Sequence, residues 1–171
     1  MLSRRHCLIA LPGLAWQACA EAKPDAGLTL VGQAQMRWFG LLIYDIRLWS
    51  ERKPARDWWT APLALELEYA RSLKGSEIAK RSLVEMRRQQ LIDEASAARW
   101  LTQMQERFPD VKAGDRLSGR HLPGEGTDFF FNGSALPRLA DPLFSRLFFG
   151  IWLSEQTSEP QLRAKLLGLS A

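Results

Sequence analysis

Six side chains carry the clearest chemical potential in this sequence: Arg37 and Tyr44, then Tyr69 and Arg71, then Arg81 and Glu85. An arginine fork beside a tyrosine hydroxyl is a receptor for a carboxylate, because both donate to oxygen and the guanidinium stays charged when partly buried. The same residue types could also run proton chemistry, with a tyrosine as proton donor and an arginine holding a developing oxyanion. A plainer assignment competes with both. It puts Arg37 on the polar face of a strand, makes Tyr44 an amphipathic core residue, and leaves Arg81 and Glu85 as a solvated helix pair worth roughly 0.3 kcal/mol. Glu66 and Glu68 could pair as glycosidase carboxylates, yet an i,i+2 spacing on a strand more simply gives one solvated face.

Other reaction classes are excluded by what the chain lacks. Ser3 to Leu8 carries two arginines, an apolar run follows from Leu8 to Ala15, and Ala18, Cys19 and Ala20 supply small residues at a cleavage point. Residues 1–20 therefore read as an export signal, with Arg4 and Arg5 serving either a twin-arginine or the general secretory route to the periplasm. Cleavage after Ala20 removes Cys7, Cys19 and His6, and leaves His121 as the sole histidine. Thiol nucleophiles, disulfides, thiolate or multi-histidine metal sites and a bound cofactor are not expected in residues 21–171. A serine triad would need His121, which beside the turn at Pro123 reads as an exposed strand-end histidine. Losing Arg4 and Arg5, and no acid, takes the formal charge from +4 to +2, too little to suggest a nucleic-acid partner. No apolar run is long enough to span a bilayer.

The elements that must position these residues can be read from periodicity. Gln33, Gln35 and Arg37 alternate with Ala34, Met36 and Trp38 as one strand; after Gly40, Leu41 to Trp49 continues as a second. Residues 53–62, with Trp58 and Trp59 between prolines, form a loop, and one of these tryptophans is expected to be a lid or contact residue. Leu63 to Tyr69 alternates cleanly. From Ser76 the period turns helical, with Glu77–Arg81 and Arg81–Glu85 as ion pairs and Lys80, Arg81, Arg87 and Arg88 as a basic but balanced face. Asp93 caps a second helix ending at Pro109. Strands over 116–122 and 127–131 follow, with Asn132-Gly133 as a tight turn. Asp141-Pro142 starts a third helix, and Ser158 to Gln161 reads as a capping box for a last one ending at Gly168. Met86 and Phe129 to Phe131 either line an apolar pocket or are plain core. Strands, then helices, then a hairpin and more helix give an α+β domain, with an antiparallel sheet and helices packed on one face.

Several of these blocks occur in a telling order. The stretch from Gly32 to Trp49, then Tyr69 to Gly75, Phe108 to Val111, Gly114-Asp115, Phe130 to Gly133 and Phe149 to Leu153, resembles bacterial chalcone isomerase-like proteins over nearly all of residues 21–171. The resemblance implies an open sandwich with a ligand cleft between sheet and helices. The plant enzymes of that fold close a flavonoid ring with an arginine, a threonine, a tyrosine and an asparagine. By the same resemblance these fall near Gly27, Phe39, Ile78 and Glu85, so the catalytic set is not retained. Because some relatives of the fold bind fatty acids without catalysis, the expectation is an exported binder of a small amphipathic molecule such as a fatty or aromatic acid. An intramolecular lyase or isomerase using Tyr44 or Tyr69, and a cell-envelope protein-interaction module anchored by Trp58 and Trp59, are the alternatives.

Overall fold

The computed structural model describes residues 23–54 and 56–169, so the expected signal at 1–20 lies outside the described residues. Six strands form one antiparallel sheet in the order of the chain: β1 Thr29–Trp38, β2 Leu41–Ser50, β3 Leu63–Tyr69, β4 Arg116–Leu122, β5 Gly126–Phe131 and β6 Ser134–Ala135. Helices α1 Gly75–Arg87 and α2 Glu94–Arg107 are inserted between β3 and β4, and α3 Pro142–Leu153 and α4 Pro160–Leu167 follow the sheet. Register decides which side chains face the helices. Across the sheet, Leu48, Leu65, Gly119 and Phe129 are successive partners, and so are Ser50, Leu63, His121 and Thr127. All are buried, so one face of the sheet is the core face and the α+β expectation holds.

Helix α4 covers β1 and β2, α3 covers β4 and β5, and α1 packs on α2 and α3. The layer between is aromatic: the Phe129 ring packs edge-on against Phe148 at 5.2 Å, and Phe148 stacks on Phe144 at 5.5 Å. Gly119 makes room for this layer, since a Cβ there would lie 3.1 Å from the Phe149 ring.

Local chemistry explains the helix ends. Asp93 caps α2 by accepting from the Ser96 N–H at 2.9 Å, and Asp141 caps α3 from the Phe144 N–H at 2.9 Å. The expected capping box at Ser158 does not form: α4 starts one residue later, with Glu159 at its N-cap and no side-chain bond to the first turn. The Glu77–Arg81 pair is also corrected, because Glu77 binds Lys80 at 2.8 Å while Arg81 turns to Glu85. The segments before α1 and after α2 are clasped together. Leu73 and Val111 exchange backbone hydrogen bonds at 3.0 and 2.9 Å, and a Cβ on Gly75 would sit 2.0 Å from the Phe108 carbonyl oxygen.

Candidate functional site

Of the six candidate residues, Tyr44 and Tyr69 pair across β2 and β3, and Arg81 and Glu85 on α1 lie within electrostatic reach of Tyr44. Tyr44 and Tyr69 are direct cross-strand partners on the core face, with rings edge-to-face at 5.8 Å. The Trp152 indole, from the last turn of α3, donates to the Tyr44 hydroxyl at 3.0 Å. From α1, Glu85 and Arg81 act electrostatically on Tyr44 in opposite senses, as does Glu159 at the start of α4 on the acidic side. Burial pushes the Tyr44 phenol up to about 12, with the Trp152 hydrogen bond pulling the other way, and burial likewise raises Tyr69, reinforced by Tyr44. Both hydroxyls therefore stay protonated across the physiological range and act as neutral donors.

Glu85 is the unusual member. Its side chain is only 7% exposed; Oε1 accepts from Arg81 at 2.6 Å, while the Arg88 guanidinium stands 3.6 Å from Oε2. Among the described residues Oε2 has no hydrogen-bond partner. A buried carboxylate oxygen in that position costs free energy unless some group donates to it. The site thus presents two tyrosine donors, a carboxylate with spare acceptor capacity and an arginine whose side chain is 68% exposed.

Arg37 and Arg71 are not brought to this group. Arg37 is exposed and donates to the Gly40 carbonyl at 3.2 Å and to Gln35 Oε1 at 3.0 Å. It lines a shallow groove of about 420 Å³ on the outer sheet face with Gln33, Asp45 and Lys165. Arg71 is exposed on the turn leaving β3. Glu66 and Glu68, also on the outer face, are bound by Arg47 at 3.0 and 3.3 Å, with Arg116 on Glu68 at 3.0 Å. These two carboxylates are held as ion pairs rather than freely solvated.

His121 overturns the expectation of an exposed histidine. It is 2% exposed, between Ser145 Oγ at 2.7 Å from Nδ1 and the Trp59 carbonyl at 2.8 Å from Nε2. A carbonyl can only accept, so Nε2 carries the proton; the one Ser145 hydroxyl proton faces both Nδ1 at 2.7 Å and the Gly126 carbonyl at 2.9 Å, and the Ser145 oxygen accepts from Thr127 at 2.8 Å. Burial holds this imidazole below its usual value, against the opposing pull of the Trp59 carbonyl. With Ser145 and Thr127 both 0% exposed, the cluster is a buried brace between β4, β5, α3 and the loop before β3. In that loop Trp58 is buried and the Arg146 guanidinium covers Trp59 at 4.0 Å.

Of the positions matched to the plant enzymes' catalytic residues, Phe39 stands 89% exposed at the β1–β2 turn, and Ile78 is half-buried on α1. Neither offers a hydroxyl. Among the described residues no group of histidine, cysteine or acidic side chains could hold a metal ion, and no helix is long and apolar enough to cross a membrane.

The sequence and fold have clear relatives. The chain is 31% identical over 148 residues to an uncharacterized protein of Haemophilus influenzae, covering 86% of this chain and 72% of that one. Its fold is similar to the crystal structure of a fatty-acid binding protein of Arabidopsis thaliana, with a TM-score of 0.65, 10% identity and coverage of 86% and 90% of the two chains. A family model described as chalcone isomerase-like matches residues 20–168. The chain belongs to the chalcone isomerase-like family.

Proposed function

We propose that this protein is an exported, non-catalytic binder of a small amphipathic molecule, such as a fatty or aromatic acid, that takes the polar end of its ligand at Tyr44, Tyr69, Arg81 and Glu85. The observation that carries this reading is the buried Oε2 of Glu85, which has the Arg88 ion pair at 3.6 Å but no hydrogen bond, within electrostatic reach of the protonated Tyr44 and next to a largely exposed Arg81. A protonated acid or a hydroxyl would donate to Oε2, while Arg81 and the Tyr44 O–H would donate to a carboxylate or carbonyl oxygen. The aromatic layer behind supplies an apolar path for the rest of the molecule. Rings fill that layer here, so ligand entry would part Tyr44 on β2 from Trp152 on α3.

Binding fits better than turnover. A tyrosine pushed up to about 12 is poorly matched to proton transfer at neutral pH, although it remains a good hydrogen-bond donor. The retained fold of a fatty-acid binding relative supports the ligand class by analogy alone. The test is ligand affinity of wild type against the double variant Arg81→Ala, Tyr44→Phe, using palmitate and cinnamate as probes. Loss of two donors, one of them charged, is expected to weaken binding roughly tenfold or more. Unchanged affinity, or turnover of chalcone-like and enone substrates, would overturn the reading.

A further inference from the structure

We propose that the tip of the β1–β2 hairpin docks this protein on an anionic lipid surface. Trp38, Phe39 and Leu41 are 64%, 89% and 54% exposed, and the Trp38 and Phe39 rings lie 5.2 Å apart, so they form one apolar patch. Trp38 and Leu41 are paired, which leaves Phe39-Gly40 as a two-residue turn with φ of 47° and 79°. Positive φ at both positions is the hairpin turn that favours Asn-Gly. The same molecule builds that turn a second time between β5 and β6, where Asn132 and Gly133 have φ of 48° and 82°. Phenylalanine is disfavoured in the left-handed region. Its presence at Phe39 serves neither the turn nor the core, which leaves a contact outside the molecule.

The charges around the tip select the partner. Arg37 is exposed and binds the turn itself through the Gly40 carbonyl. The Ala70 N–H bonds the Ile43 carbonyl at 2.9 Å, which brings exposed Arg71 to the same end of the sheet, two residues from Leu41 on the neighbouring strand. Among the described residues neither arginine has an acidic partner, whereas the nearby acids are engaged: Asp45 by Gln35, Asp110 by Lys74 and Asp115 by Asn132. Three apolar side chains at a convex turn expose roughly 400 Å². A stable protein interface needs about 800 Å² per partner, but aromatic residues flanked by arginines suit the headgroup boundary of a bilayer. Tyr44 lies three residues from Leu41 on the same strand, so docking would set the proposed ligand site close to the membrane; the docking itself does not depend on that site.

Flotation of the purified mature chain, residues 21–171, with phosphatidylethanolamine–phosphatidylglycerol vesicles tests this, with phosphatidylcholine vesicles as the neutral reference. Wild type is expected to float with the anionic vesicles. Phe39→Asn, which suits the turn, is expected to cut the bound fraction roughly tenfold at an equal or higher melting temperature. Arg71→Glu is expected to remove the preference for anionic lipid. Equal flotation of wild type and Phe39→Asn would overturn the proposal, and so would wild type that stays unbound at low salt. Self-association lost in Phe39→Asn without vesicle binding would also overturn it, by pointing to a second copy of the chain.

Discussion

His121 and Glu85 are ionisable groups that the fold buries, and it treats them in opposite ways. His121 has partners on both ring nitrogens and no access to solvent, so its role is structural. Its imidazole is held below the usual 6.5, so the unfolded chain takes up a proton more readily than the folded one. Stability should therefore be level above about pH 6.5 and fall as pH drops below it, by at most about 1.4 kcal/mol per unit. Urea melts from pH 8 to 5 check this, and His121→Gln should flatten that limb. Tyr44→Phe removes the acceptor of the Trp152 indole, and should lower stability by about 1–2 kcal/mol while leaving the fold intact. Sequence reasoning named Glu85 and Tyr44 but placed His121 at the surface. The missed signal was parity: His121 lies two and four residues from Gly119 and Leu117, and Leu117 marks the core face, so the alternation of β4 carries the imidazole inward.

At the scale of elements, most of the chain was legible because strand alternation and caps are local properties. The strands Leu63–Tyr69 and Arg116–Leu122 match their expected bounds residue for residue, and Asn132-Gly133 turns where its dipeptide requires. Gly40 was read only as a break, because a Phe-Gly pair lacks the composition that marks a hairpin turn. The Ser158 cap failed for a physical reason: Ser158 lies outside the helix and Pro160 opens it, which leaves Glu159 at the N-cap. Asp141 does two jobs, capping α3 and accepting from the Trp100 indole at 2.7 Å. Asp141→Ala should therefore cost about 2–3 kcal/mol, more than a cap alone, as read by thermal or urea unfolding. Gly75→Ala would drive a methyl into the Phe108 carbonyl and part the clasp between α1 and α2. A loss of roughly 2 kcal/mol or more is expected by the same measurement.

At the scale of the molecule, one antiparallel sheet covered by helices on a single face leaves two environments with different uses. The covered face is closed by aromatic rings, with polar side chains at two places: the end where Tyr44 and Tyr69 pair, and the opposite end of β3, where His121, Ser145 and Thr127 brace the layers. The outer face is an ion-paired surface in which Arg47 and Arg116 hold Glu66 and Glu68. Sequence periodicity assigned the faces but not the approach of Arg81 and Glu85 to Tyr44, because proximity between elements distant in the chain leaves no local pattern. That is why Arg37 and Arg71 looked equivalent to Arg81 in the sequence and part from it in the fold. The central claim is that the Glu85–Tyr44 end holds the head of a small amphipathic acid. The most direct measurement is native followed by denaturing mass spectrometry of the protein taken from its own cells, beside the Arg81→Ala, Tyr44→Phe variant. A stoichiometric fatty or aromatic acid on the wild type, depleted in the variant, is the predicted result. A wild type that carries no small molecule and takes up neither palmitate nor cinnamate on incubation would contradict it.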